Sequence, residues 1–97
     1  MKIDNFVSEW RISVLRNAAW KCERCGKPAS QAHHVVSRRI EALKYDARNG
    51  EALCVLCHMK HHDESPAAGN AAFRERRPTD WKYLQRMKSS IKMEYVE

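Results

Sequence analysis

Two Cys-x-x-Cys pairs, Cys22/Cys25 and Cys54/Cys57, enclose a His33-His34 doublet and Asn49, and His58, His61 and His62 follow directly. That is more ligand than one ion uses. Four thiolates complete a tetrahedral Zn²⁺ shell, while imidazoles can hold a second divalent ion with positions left open for water and a phosphate oxygen. Each cysteine pair has ligand spacing, and the stretch between Cys25 and Cys54 is long enough for two strands to leave and return to the same ion. A shared structural zinc is therefore expected. Disulfides or buried free thiols would not require two matched pairs in a small intracellular chain.

All five histidines fall between positions 33 and 62. On a helix His58 and His62 are one turn apart on the same face, and His61 is nearly as well placed, so spacing supports a helical claw without choosing its second member. His33 and His34 differ from these because neighbours on a strand point to opposite faces. They are expected to divide the labour rather than share one ion. A neutral imidazole near its unperturbed pKa of about 6.5 can accept a proton from water at physiological pH, which phosphodiester hydrolysis requires. Arg38 and Arg39 follow closely, where a guanidinium could hold a phosphate bidentately, although ordinary solvated arginines fit the same positions.

The elements that must position these groups are short. Ile3, Phe6, Val7, Trp10, Val14, Leu15 and Ala18 recur at helical spacing, which predicts an amphipathic helix over about 4–19 leading into Cys22. Cys22-Glu23-Arg24-Cys25-Gly26 reads as a zinc knuckle, with Gly26 tolerating the unusual backbone angle of its turn. Gln31 to Val36 suits a strand carrying the doublet, Asn49-Gly50 a turn, and Glu51 to Leu53 a second strand. A helix over His58 to His62, a loop over Asp63 to Asn70 and a helical extension over about 71–93 complete the reading. Thr79 is the expected cap of the last helix, whose apolar face is Trp81, Leu84, Met87 and Ile91. Trp10, Trp20 and Trp81 are expected in the core rather than as base-stacking platforms.

Over 97 residues, 18 Lys+Arg against 12 Asp+Glu give a net charge of +6. Zinc held by four thiolates would lower it to about +4, which still favours a polyanionic partner. Arg74, Arg76 and Arg77, with Lys82, Arg86 and Lys88, could grip a DNA backbone, or form a polar helix face. Residues 1–97 are expected to form a single domain needing a staple such as zinc. No apolar run approaches the roughly 18 residues of a membrane span, and Met1-Lys2-Ile3-Asp4 does not open a signal peptide. A soluble, cytoplasmic protein is expected.

The run Trp20-Lys21-Cys22-Glu23-Arg24-Cys25-Gly26, then His33-His34-Val35, Asp46 and Asn49, then Leu53 to His58 and His62, resembles the HNH endonucleases. Two knuckles enclosing His, Asn and His elements in that order make a specific pattern over Trp20 to His62. The resemblance implies a small α+β fold: a ββα-metal (His-Me finger) core of about 20–62, stapled by the four-cysteine zinc site and flanked by N- and C-terminal helices. It implies that His33 is the strand ligand of a catalytic ion and His34 the general base, with Asn49 pinning the loop that orients it. His58 and His62 become the helix ligands of that ion, which would be Mn²⁺ or Mg²⁺. Arg38 and Arg39 become candidate DNA contacts, and one such centre would nick one strand of DNA per event. Small members of this family often belong to phage gene sets. Many members carry proline shortly after the doublet, where this chain has Val35-Val36-Ser37. The alternative is a zinc-stabilised DNA-binding module without catalysis, which would not need the His33-His34, Asn49 and His58 set.

Overall fold

Two strands and the helix after them form the centre of a small α+β fold. The computed structural model describes residues 5–96, with side chains described over 8–90. Its elements run α1 (Asn5–Asn17), β1 (Gln31–His34), α2 (Glu41–Lys44), a 3-10 turn (Ala47–Asn49), β2 (Gly50–Leu53), α3 (Val55–Asp63), α4 (Pro66–Arg76) and α5 (Pro78–Val96). The strands pair antiparallel, with Gln31 opposite Leu53 and His33 opposite Glu51. No described helix is long and apolar enough to cross a membrane.

Helix α1 lies over the sheet because Trp10, Val14 and Leu15 share one face, and they pack with Ala29, Ala52, Leu53 and the zinc-knuckle residues Cys22 and Cys54. A Cβ at Gly50 would overlap a Val14 methyl, so only glycine lets the helix approach β2 this closely. A second cluster joins Val36 and Leu43 to Phe73 and Leu84, so α4 and α5 brace the loop that leaves β1. Of the expected helical faces, Ile3 lies outside the described residues, as do the side chains of Phe6, Val7 and Ile91.

Several boundaries differ from the sequence reading. Helix α1 stops at Asn17 because Ala19 (φ 55°) and Trp20 (φ 61°) turn left-handed, and the Trp20 N–H closes onto the Leu15 carbonyl at 2.8 Å. That reversal turns Trp20 outward to 49% exposure, so it is not a core residue; Trp10 is buried at 5%. Strand β1 ends at His34 rather than Val36, because the Val36 N–H and carbonyl are both taken by the Asn49 side chain. Helix α3 starts at Val55, since the Cys54 sulfur caps it by accepting from the Cys57 N–H. The expected loop over Asp63 to Asn70 is cut short at Pro66, where Ser65 caps α4 by accepting from the Ala68 N–H. Serine before proline is a helix start as much as a turn, and the burial of Phe73 decides between them. Helix α5 begins at Pro78, so Thr79 sits inside its first turn rather than capping it.

Candidate active site

The four cysteines converge from two knuckles. A turn closed by Cys22 N–H to the Lys27 carbonyl (2.6 Å) and Gly26 N–H to the Cys22 carbonyl (2.9 Å) presents Cys22 and Cys25, with Gly26 at φ 82°. The first turn of α3 presents Cys54 and Cys57. All four sulfurs lie within 4.8 Å of one another, and those of Cys25 and Cys54 are 3.6 Å apart. Sulfurs on a tetrahedral zinc, each about 2.3 Å from it, would be about 3.8 Å apart. A disulfide would bring them to about 2.0 Å, and all four thiols are free.

Their charges support the same assignment. Burial opposes ionisation of Cys22, yet backbone N–H donors outweigh it and pull the thiol down to about 6. Burial, then the neighbouring sulfurs, push Cys57 up to about 12. Sulfurs this close resist ionising together, and a bound dication removes that conflict. The donor set is therefore compatible with structural zinc.

Strand alternation sends the histidine doublet in two directions. His33 faces α3, with its ring centroid 4.0 Å from that of His61 and 6.1 Å from that of His58. The His58 ring lies 4.9 Å from that of His62, which is exposed. Among the described residues only the four cysteines bring three or more ligand atoms within 4.8 Å of each other, so the imidazoles form a wider cup. Burial, reinforced by the surrounding histidines and Arg24, pushes His33 down to about 4, and burial lowers His58 as well. Both are neutral at physiological pH, the form that ligates metals.

His34 faces α1. Its Nε2 lies 2.8 Å from the Lys44 carbonyl, and its ring is stacked on Trp10 with centroids 3.9 Å apart and planes 5° from parallel. A carbonyl can only accept, so Nε2 carries the proton. Burial holds His34 below its ordinary pKa. The neutral ring therefore keeps its lone pair on Nδ1. His33, His34 and His61 share a cavity of about 280 Å³ with Val35, Ser37 and Glu64.

Asn49 is fully buried and fastens the segment beside this cavity. Its Oδ1 accepts from Val36 N–H at 2.6 Å, and its Nδ2 donates to the carbonyls of Val36 (3.0 Å) and Leu43 (3.1 Å). Leu43 precedes the residue whose carbonyl holds His34. Asn49→Ala would leave the Val36 N–H and carbonyl unpartnered, while the Leu43 carbonyl keeps the Asp46 N–H, so we expect a loss of roughly 2 kcal/mol or more in urea unfolding of the zinc-loaded protein. An unchanged unfolding midpoint would show that the loop does not depend on this side chain.

An ion-pair network absent from the sequence reading backs the cup. Glu51, 2% exposed and opposite His33 in the sheet, is paired with both Arg24 and Arg76. Arg24 also grips Glu64 through two bonds of 3.0 and 2.9 Å, and its Nη2 lies 3.4 Å from His61 Nδ1. Arg77 bonds Glu23, Asp80 and the Gly50 carbonyl. Arg76 and Arg77 thus pair with carboxylates of the fold, which, of the two readings the sequence left open, is closer to a structural than to a DNA-gripping role. Arg38 and Arg39 are exposed just beyond the cavity residue Ser37. Spacing gave no signal for Glu51 or Arg24, because a buried carboxylate on a strand is recognisable only once its partners are in place.

Two antiparallel strands followed by a helix, with four clustered sulfurs fit for zinc and histidines presented from strand and helix, define a small ββα class. Residues 22–64, which carry the two knuckles, β1, β2 and α3, match the HNH endonuclease family model. Helices α1, α4 and α5 lie outside the match. That family is one of endonucleases, so the matched segment is similar to nuclease domains. No curated protein and no solved structure matches the chain.

Proposed function

We propose that this protein is a metal-dependent DNA endonuclease that hydrolyses one phosphodiester bond, and so nicks one strand, at each active site. The observation that carries the reading is His34: a half-buried imidazole that lines a cavity with His33 and whose Nε2 is tied to the Lys44 carbonyl, which leaves Nδ1 as its proton acceptor. His34 takes a proton from the attacking water at Nδ1, and the Lys44 carbonyl steadies the ring as it becomes charged. Asn49 keeps that carbonyl in place through its neighbour Leu43. Arg38 and Arg39, exposed beside the cavity, would engage phosphates flanking the scissile bond.

His33 and His58 would hold the working divalent ion, Mn²⁺ or Mg²⁺, with a third imidazole from α3. His62 has the helical spacing for that place, but His61 lines the cavity and sits nearest His33, which favours His61. When bound, such an ion supplies Lewis acidity to the phosphoryl oxygens and the leaving 3′ oxygen. Arg24, bonded to Glu64 and with its Nη2 3.4 Å from His61 Nδ1, would orient that ring. The free thiols suit a reducing compartment such as the cytoplasm of a bacterial or phage-infected cell. On this reading residues 1–97 act as one nuclease domain.

The test is conversion of supercoiled plasmid by purified zinc-loaded protein. Open circle should accumulate with Mn²⁺ or Mg²⁺ and stop with a chelator too weak to strip the zinc. Plasmid binding without strand cleavage under any of these ions would instead leave a zinc-stabilised DNA-binding module.

A further inference from the structure

We infer that Trp10, on a helix outside the HNH match, is a positioning residue for the His34 base. The inference rests on the assignment of His34 as that base. An imidazole on a strand end can turn about its side-chain bonds, and one hydrogen bond from Nε2 fixes a direction but leaves the ring free to rotate around it. The Trp10 indole removes that freedom, because its plane lies 5° from the imidazole plane at a centroid distance of 3.9 Å.

The same indole also holds the other half of the arrangement. Its Nε1 donates to the Asp46 carbonyl at 2.9 Å, two residues beyond Lys44, whose carbonyl accepts from His34. One side chain thus sets both the face of the base and the strap that carries the base's acceptor. An aliphatic residue would fill the same space under α1, yet it would supply neither the parallel face nor the N–H donor. Helix α1 accordingly completes the site, rather than merely covering the sheet. Displacement of a reacting group by about 1 Å can cost 10²-fold in rate, so loss of the stack is expected to register in turnover.

The experiment compares wild type, Trp10→Leu, Trp10→Phe and His34→Ala in the full zinc-loaded chain. Zinc content, melting temperature, kcat and KM for plasmid nicking with Mn²⁺ would be measured, together with the histidine ring ¹H–¹³C resonances. Trp10→Leu should lower kcat by about 10- to 100-fold with little change in KM. The His34 ring protons should lose the upfield shift that a stacked indole imposes, with the other four histidines unmoved. Trp10→Phe, which keeps an aromatic face but loses the donor to Asp46, should recover part of the kcat. Wild-type kcat in Trp10→Leu beside an inactive His34→Ala would overturn the inference, as would equal kcat losses in Leu and Phe variants that track lost zinc or melting temperature. Full activity of His34→Ala would remove the base assignment and the inference with it, while the ring-proton shifts would still report whether the stack exists, so the two failures are distinguishable.

Discussion

Cys22→Ser or Cys57→Ser is expected to give a chain that binds no stoichiometric zinc and has lost its cooperative melting transition. The segment from Ala18 to Ser30 contains no helix and no strand, only the knuckle turn and a single bridge between Lys21 and Pro28. Arg24 ties it to Glu64 and Glu51 at its edge, but its turn meets the first turn of α3 through the four sulfurs, which approach to within 4.8 Å. Two of those residues, Cys22 and Cys54, are also members of the cluster under α1. Losing the ion therefore releases one wall of the core as well as the knuckles. Structural zinc in small fingers contributes about 10–16 kcal/mol at neutral pH, as much as or more than the ~5–15 kcal/mol net stability of an ordinary domain. A serine at one position offers a poor ligand and leaves three thiols crowded without full compensation. Circular dichroism melts, with zinc titrated in parallel, would check this for each variant and for wild type treated with a strong chelator. A zinc-free protein melting like the loaded one would refute the assignment of the cysteines as a structural metal site.

The cysteines were readable in the sequence because a chelating pair is local: two residues three apart on a turn meet the same ion whatever the rest of the chain does. The two strands and α1 were readable for the same reason, since alternation and helical spacing are short-range signals. Three other features depended on contacts between distant segments. Trp20 has the apolar character of a core residue, but it follows a left-handed reversal that turns it to solvent. Pro66 and Gly69 look like loop residues, yet burial of Phe73 carries helix α4 across them, and Gly69 lets its backbone pass against the His61 ring. The acceptor for His34 is a backbone carbonyl, Lys44, and backbone groups leave no mark in residue identity. The division of the doublet between two faces followed from strand geometry alone. Which of His61 and His62 lies nearer His33 was not available from spacing, because both are on the correct side of α3, and the ring of His61 is drawn inward by Arg24 and Glu64.

His34→Ala is expected to lower the nicking rate by about 10²–10⁴-fold, the usual contribution of a positioned general base. Zinc content should be unchanged, since the His34 ring is held by Trp10 and the Lys44 carbonyl and is bonded to none of the four sulfurs. The substitution removes a stacked ring and leaves one carbonyl without its donor, so a stability loss of about 1–3 kcal/mol is expected as well. Rates must therefore be compared at a temperature where both proteins are folded. His34→Gln separates the two effects: an amide can still donate toward Lys44, but it cannot take a proton from water near neutral pH. If stability governs activity, Gln should recover rate along with melting temperature. Should proton acceptance be the requirement, Gln recovers melting temperature while the rate stays near that of Ala. Wild-type nicking by both variants, with zinc and Mn²⁺ supplied, would mean that the water is activated elsewhere in the cup and that His34 is only a structural ring. Its setting argues against that outcome, because a side chain serving only to fill space needs no carbonyl to fix its tautomer and no place in the lining of a cavity with His33 and His61.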